Sequence, residues 1–145
     1  MRHEGGCLCG AVRYAVDGPL RQILVCHCVE CRRWAGCAWP ATAAETSDLT
    51  IGGDVVWRVS PRSEYRARRG NCARCGAALF WRAQDGPRTA IGAGSLDDAN
   101  GFRVAAHIWV EQGTDWERPP DGIPSYPRGY PADAPALPWC ENDRG

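Results

Sequence analysis

Three short groups of cysteines contain the residues of this sequence that are best suited to chemistry. Two thiolates separated by one or two residues can bind the same metal ion when the chain turns tightly between them. The chain has nine cysteines, an odd number that cannot pair completely, so we predict metal binding over a disulfide framework. The three groups are Cys7-Leu8-Cys9, Cys26-His27-Cys28-Val29-Glu30-Cys31 and Cys72-Ala73-Arg74-Cys75.

The first and third groups together predict a closed zinc site. They supply four thiolates, and soft sulfur ligands in a tetrahedron favour Zn²⁺. Such a site couples metal binding to folding, because it joins distant parts of the chain. The alternative is four reduced cysteines that have a structural role without metal. The predicted structural ligands are Cys7, Cys9, Cys72 and Cys75.

The middle group predicts a second site of a different kind. It supplies three thiolates, from Cys26, Cys28 and Cys31. Three protein ligands with an open fourth position are typical of catalytic zinc. Cys37 follows at short distance in the sequence and could close the site, and an empty or redox-active cluster is a further alternative. Cys140, near the end of the chain, is interpreted as a surface thiol.

The segments around these cysteines are predicted to be short strands. They are rich in Val, Ile, Tyr and Trp, and Gly and Pro separate them. One short helix is predicted over Val29–Ala35. The chain is therefore expected to be mostly β. The predicted strands are Ala11–Val16, Gln22–Cys26, Val55–Val59, Ala77–Arg82 and Val104–Val110.

The composition changes near the C-terminus, where proline is concentrated between Pro119 and Pro138. Proline excludes regular helix and central strand. We therefore expect a zinc-binding domain over residues 1–127 and a Pro-rich tail over residues 128–145. The Pro-rich region either wraps around the body or is partly disordered, and wrapping is favoured for its first half.

Charge and hydropathy exclude two classes of partner. The 17 Lys and Arg balance the 17 Asp and Glu, so the formal net charge is zero. No overall field attracts nucleic acid or an anionic membrane. No apolar stretch approaches the roughly 20 residues of a membrane span, and the N-terminus lacks a signal-peptide pattern. We expect a cytoplasmic protein; the oligomeric state is not indicated.

Five sequence elements follow one another along most of the chain. They are Gly6-Cys7-Leu8-Cys9-Gly10-Ala11-Val12, Cys26-His27-Cys28-Val29-Glu30-Cys31-Arg32, Cys72-Ala73-Arg74-Cys75-Gly76, Gly94-Ser95-Leu96-Asp97, and His107-Ile108-Trp109-Val110 followed by Trp116. In this order they resemble the glutathione-dependent formaldehyde-activating enzyme family. The resemblance implies an Mss4-like fold of short antiparallel sheets with two zinc ions, one structural and one catalytic. It also implies a carbon–sulfur lyase that joins formaldehyde to glutathione and gives S-hydroxymethylglutathione. Cys37 departs from the pattern, since a small residue without metal-binding capacity is expected there.

Glutathione has two carboxylates, so a substrate site for it requires a basic residue. Arg32 and Arg33 directly follow Cys31 and are the nearest candidates, although both are also compatible with a solvated helix surface. A second basic stretch contains Arg66, Arg68 and Arg69. On a strand, Arg66 and Arg68 share one face with Glu64, and this face is interpreted as solvated and partly paired.

His107 and the tryptophans are candidates for supporting the chemistry. His107 could act as a general base near neutral pH, or as a hydrogen-bonded structural histidine. Trp34, Trp39 and Trp81 could shield the metals from water or fill the core.

Two other functional classes compete with the enzyme. A non-catalytic zinc module could bind a protein partner, but it has no need of an open three-cysteine site. A thiol redox enzyme needs a reactive cysteine outside the metal sites, for which the sequence offers only Cys37 and Cys140.

Overall fold

A computed structural model describes residues 1–64 and 66–140 of the chain. Strands account for 39% and helices for 14% of it, which confirms the mostly β prediction. The strands are β1 His3–Gly6, β2 Arg13–Val16, β3 Leu20–Arg21, β4 Ile23–Cys26, β5 Trp39–Glu45, β6 Leu49–Gly52, β7 Val55–Val59, β8 Arg68–Cys72, β9 Ala78–Arg82, β10 Arg88–Gly92, β11 Val104–Ile108 and β12 Trp139–Cys140.

These strands form one large and two small sheets. The large sheet has seven strands in the order β11-β4-β5-β10-β9-β8-β7. The small sheets are β1-β2-β6 and β12-β3. Adjacent strands are antiparallel except β4 and β11, whose parallel pairing departs from the expected all-antiparallel arrangement. That pairing places the end of β4, with Cys26, beside Ile108 of β11.

One α-helix, α1, spans Val29–Ala35, as predicted. Cys28 caps its N-terminus: the Cys28 sulfur accepts a hydrogen bond from the Cys31 amide at 3.3 Å. At the other end, Gly36 adopts a left-handed conformation and its amide bonds the Arg32 carbonyl at 2.8 Å. The helix is therefore limited to two turns by caps at both ends.

Strand β11 ends two residues earlier than predicted. Trp109 has a φ of 56°, which is incompatible with an extended strand. Single turns of 3₁₀ helix follow at Val110–Gln112 and Asp115–Glu117. This break turns the chain away from the sheet directly after His107 and Ile108.

Two apolar clusters fill the interior. The larger one lies between the three-stranded sheet and the large sheet and includes Val12, Tyr14, Phe80 and Ile91. The smaller one is built around Cys31, Trp39 and Ala41, with Cys26, Cys28, Trp34 and Trp81 packed against it. Each cysteine site thus adjoins its own cluster, since Cys7, Cys72 and Cys75 belong to the larger one.

The Pro-rich region follows the body closely, as predicted for its first half. The His107 amide bonds the Pro124 carbonyl and the Tyr126 amide bonds the His107 carbonyl, each at 2.9 Å. Further along, Trp139 and Cys140 pair with β3 as strand β12. Residues 141–145 of the predicted tail lie outside the described residues. The domain boundary after residue 127 stays a prediction.

Candidate metal centres and the adjoining cleft

The first and third cysteine groups meet in the structure, as their spacing predicts. Cys7 and Cys9 lie in the turn between β1 and β2, whereas Cys72 ends β8 and Cys75 lies in the turn before β9. Gly10 and Gly76 have positive φ values of 81° and 77°, which allow both turns to close tightly after the cysteines. The four sulfur atoms all lie within 4.8 Å of one another.

The geometry of this four-thiol group fits zinc. The Cys9 sulfur lies 3.6 Å from that of Cys7 and 3.9 Å from that of Cys72. A zinc–sulfur distance of about 2.3 Å places the sulfurs of a regular tetrahedron about 3.8 Å apart. Backbone amides also donate to the sulfurs, from Val12 to Cys7 at 3.2 Å and from Cys75 to Cys72 at 3.4 Å. The Val12 amide lowers the pKa of Cys7 to about 6, so the thiolate form of that residue is favoured.

The middle cysteine group forms a separate three-thiol group. Cys26 ends β4, Cys28 caps α1 and Cys31 lies in the first turn of the helix. Their sulfurs all lie within 4.8 Å of one another. The end of β4 and the start of α1 therefore supply all three thiols from one continuous segment of the chain.

The three thiols affect one another's ionisation. Hydrogen bonds with Cys26 and then Cys31 lower the pKa of Cys28, whereas hydrogen bonds with Cys28 and then Cys31 raise the pKa of Cys26. One thiolate thus forms readily while its neighbours hold their protons. Full deprotonation of all three requires a positive charge between them, which a soft divalent metal held by Cys26, Cys28 and Cys31 would supply.

Arg69 supplies a second positive charge next to this group. Its Nη1 atom lies 3.5 Å from the Cys31 sulfur, and its Nε donates to the Ser60 hydroxyl at 3.0 Å. The guanidinium also lies 3.8 Å from the Glu30 carboxylate and 4.9 Å from the ring centroid of Trp34. Only 7% of Arg69 is exposed, so this residue of the basic stretch is buried, whereas Arg66 and Arg68, the two placed on the solvated face, are exposed.

The alternation of side chains along a strand is the sequence signal that could have identified Arg69. Neighbouring residues of a strand point to opposite faces. Arg68 is exposed and Arg69 is buried, so Arg69 lies on the face that turns toward α1. Asn71, on the same side of β8, accepts a hydrogen bond from the Trp34 indole at 3.0 Å. The basic stretch is therefore divided between two faces.

A cleft of about 710 Å³ opens at the three-thiol group. All three of its cysteines line the cleft, and Trp39, Trp81 and Trp109 form part of the walls. Two of these tryptophans belong to the set predicted to shield metal, and Trp34 packs against Trp39 with ring centroids 4.9 Å apart. The cleft thus combines thiols with aromatic walls, an arrangement typical of small-molecule sites.

The predicted substrate-binding arginines lie elsewhere on α1. Arg33 is exposed, and the buried Nε of Arg32 has no hydrogen-bond partner among residues 1–64 and 66–140. Neither is among the residues that line the cleft. The arginines that do line it are Arg21, Arg62, Arg69 and Arg128. Arg21, Arg62 and Arg128 were not singled out from the sequence, because nothing in the order of residues links them to the cysteines.

His107 is buried and is paired with His27. Nε2 of His27 lies 2.8 Å from Nδ1 of His107. Burial lowers the pKa of both histidines, and the neighbouring His27 lowers the pKa of His107 further. His27 lines a second cavity of about 520 Å³ together with Gly113 and Thr114. His107 is not among the residues lining the cysteine cleft.

The two remaining cysteines belong to neither sulfur group of the described chain. Cys37 is exposed beyond the end of α1. The Cys140 sulfur is half-buried and contacts the Gln22 side chain. The second group therefore has three thiols, with Cys37 outside it.

In the described part of the chain, no helix has the length and apolar content needed to traverse a lipid bilayer.

Comparison with a solved structure supports the fold. A crystal structure of a Rhodobacter sphaeroides protein, a structural-genomics target, matches with a TM-score of 0.54 and 24% sequence identity. The match covers 68% of this chain and 91% of that one. At this identity the likeness concerns the fold alone.

One protein-family model matches most of the chain. The model for the glutathione-dependent formaldehyde-activating enzyme matches residues 2–112. The matched region contains both sulfur groups and ends just after β11. The order of the cysteine motifs, the two sulfur groups and this match agree, and the chain belongs to the glutathione-dependent formaldehyde-activating enzyme family.

Proposed function

We propose that this protein is a zinc-dependent carbon–sulfur lyase that joins an aldehyde, formaldehyde, to a thiol, glutathione. The observation that carries the proposal is the position of Cys26, Cys28 and Cys31, whose thiols converge at the wall of an accessible cleft. Family membership supports the same reaction type. The product would be S-hydroxymethylglutathione.

The reaction needs no oxidant, reductant or leaving group. One bond forms between the thiol sulfur and the aldehyde carbon, and the thiol proton passes to the carbonyl oxygen. A zinc ion held by the three cysteines would lower the pKa of the substrate thiol and polarise the aldehyde oxygen. The four-thiol group, from Cys7, Cys9, Cys72 and Cys75, would hold a second, structural zinc.

The residues around the three-thiol group suit this reaction in two ways. Three thiolates carry more negative charge than one divalent ion neutralises, and the Arg69 guanidinium, 3.5 Å from the Cys31 sulfur and 3.8 Å from the Glu30 carboxylate, reduces the excess. Trp39 and Trp81 give the cleft apolar walls. Such walls would limit the access of water, which would strengthen electrostatic interactions inside the cleft and reduce the competing hydration of the aldehyde.

For His107 the contacts favour a positioning role. It bonds His27, which lies between two of the three cysteines, and its backbone pairs with Val25 next to Cys26. It would hold the Cys26–Cys28 turn in shape. General-base catalysis by His107 would require its imidazole to reach the cleft, and His107 is not among the residues that line the cleft.

Recognition of glutathione by Arg32 and Arg33 also has limited support, because neither lines the cleft.

We place the protein in a reducing compartment, the cytoplasm. All nine cysteines are free thiols, and both sulfur groups must stay reduced to bind metal.

The proposal is tested on zinc-loaded protein with formaldehyde and glutathione. Adduct formation is also spontaneous, so exchange between free glutathione and adduct is measured at equilibrium by NMR magnetisation transfer. We expect protein to accelerate exchange and Cys28→Ser to abolish the acceleration. Cys37→Ser is the matched control, since Cys37 is an exposed thiol outside both groups. Exchange no faster with loaded wild-type protein than without protein would refute the proposal and favour an interaction module.

A further inference from the structure

Arg21 is a half-buried arginine that lines the cleft. It lies on β3, where Nε donates to the Gln22 carbonyl at 3.2 Å and Nη2 donates to the Ala41 carbonyl at 3.1 Å. Within residues 1–64 and 66–140 it forms no ion pair, and Nη1 donates to no protein group. The two carbonyls thus hold the guanidinium in place and use two of its five N–H donors, which leaves both hydrogens of Nη1 and one of Nη2 for a ligand.

The other three arginines of the cleft differ from Arg21. Arg69 pairs with Glu30 at 3.8 Å, and Arg128 pairs with Glu111 at 3.2 Å. The Arg62 side chain is exposed to solvent, where its charge is already hydrated. Arg21 therefore gains most from a bound anion, because a partly desolvated cation without a counterion is costly.

A second cation strengthens the demand for an anion at this end of the cleft. Burial and then the positive charge of Arg88 lower the pKa of Arg21 to about 10. Glu45 pairs with Arg88 at 2.9 Å, and Arg88 also stacks on Trp139, so this carboxylate neutralises Arg88 rather than Arg21. Arg21 remains charged at neutral pH, and a bound carboxylate would offset the cost of its burial.

Strand pairing gives the separation along β5 between the position that holds Arg21 and the position opposite Cys26. The Arg21 guanidinium bonds the carbonyl of Ala41, whereas Cys26 pairs with Trp39 on the same strand, β5. Two residues along an antiparallel strand span about 7 Å. Leu24, Trp39 and Ala41 line the cleft over that interval. A ligand that reaches both ends must lie along this apolar wall.

We propose that Arg21 is the residue that binds a carboxylate of the substrate, so that the thiol substrate of this protein carries an acid group at the end remote from its sulfur. The inference rests on the proposed function, because it takes the three-thiol group as the place where the substrate sulfur reacts. Arg21 acts as a specificity-determining residue, and the bidentate fork of a guanidinium suits a carboxylate.

The test compares two thiols that differ only in charge. The probes are 6-mercaptohexanoate and its neutral twin, 6-mercaptohexanamide, and calorimetry on zinc-loaded protein measures their affinities. We expect the acid to bind at least about 10-fold more tightly than the amide, as a charge-assisted hydrogen bond predicts. This comparison needs no substituted protein.

Variants then assign the preference to one side chain. Arg21→Gln should lower the affinity for the acid by about the same 10-fold factor and leave the affinity for the amide within about twofold. Arg58→Gln removes an exposed arginine of β7 as the matched control and should keep the preference. Thermal unfolding checks that Arg21→Gln folds.

The outcomes separate this inference from the proposed function. If wild-type protein binds both thiols equally, or if Arg21→Gln folds and keeps the preference, the assignment of Arg21 is wrong while a thiol site remains. If neither thiol binds to zinc-loaded protein, the thiol site itself is refuted and the inference falls with it.

Discussion

The guanidinium of Arg69 lies 3.5 Å from the sulfur of Cys31, and both side chains are buried. Arg69 reaches this position from β8, at the far side of the large sheet from β4, which carries Cys26. The three-thiol group is local in sequence, but its balancing charge is not. Removal of that charge should therefore affect one metal centre and spare the other.

We expect Arg69→Gln to weaken zinc binding at the three-thiol group by roughly 10-fold, the effect of losing one charge-assisted hydrogen bond. Competition with a chromophoric chelator measures the two zinc affinities. Arg68→Gln is the matched control, because Arg68 is the exposed neighbour on the opposite face of β8. Equal zinc affinities in wild type and Arg69→Gln would contradict the proposed role.

The two sulfur groups should respond differently to the loss of one thiol. Cys28→Ser should lower zinc content from two ions to one and preserve the fold, because Cys26, Cys28 and Cys31 lie within one segment. Cys72→Ser should reduce thermal stability strongly, since buried Cys72 joins β8 to the β1–β2 turn. Metal analysis and thermal unfolding of both variants provide the measurement. Similar loss of stability in both would argue against separate structural and open sites.

Glu117 should stabilise the loop that follows α1. Its Oε1 accepts a hydrogen bond from the Ala38 amide at 2.7 Å, between Cys37 and the start of β5. Glu117→Ala leaves that amide without its acceptor and should lower the free energy of unfolding by about 1–3 kcal/mol. Glu117→Gln keeps an acceptor oxygen and should lose less. Urea denaturation compares the three proteins, and equal losses in the two variants would show that the hydrogen bond contributes nothing.

Tyr14 should make stability depend on pH in the alkaline range. Burial raises its pKa from 10.0 to about 12, and only 3% of the residue is exposed. Because the pKa in the folded state is the higher one, this contribution to stability is complete below pH 10. It is lost as pH rises from 10 through the folded value.

By about pH 11, wild type should lose about 1.4 kcal/mol relative to its value near pH 9 through this group. Tyr14→Phe removes the ionisable hydroxyl and the bond of 2.7 Å to Ser95, so it should be less stable than wild type near pH 9 and lose less on the way to about pH 11. Denaturant unfolding at both pH values gives the difference. Identical pH dependence in the two proteins would contradict the assignment.

The sequence by itself determined the features that depend on near neighbours. The spacing of Cys26, Cys28 and Cys31 predicts a three-thiol group, and helix α1 was predicted with its observed bounds, Val29–Ala35. The cysteine pairs at the two β-turns also predicted the four-thiol group, because thiols in such turns need partners and the sequence offered one obvious pairing. Strands β2, β4, β7, β9 and β11 were predicted within two residues of their ends.

Strands without a strong pattern were missed. Strand β8 consists of Arg, Gly, Asn and Cys, which have low strand propensity, and pairing with β7 and β9 stabilises it instead. Strand β5 begins Trp39-Pro40-Ala41 and contains little of the alternation that identifies strands. Tertiary context overrides local propensity in both.

Only the tertiary structure decided which charges face the cysteines. Arg32 and Arg33 are adjacent in sequence to Cys31, but helix geometry directs them away from the cleft. Arg69 and Arg21 come from β8 and β3 and line it. Groups of converging thiols can be predicted from spacing because a turn brings neighbouring cysteines together. The charged residues that line the cleft come from other strands, and their approach to the thiols depends on strand order and on which face each side chain occupies.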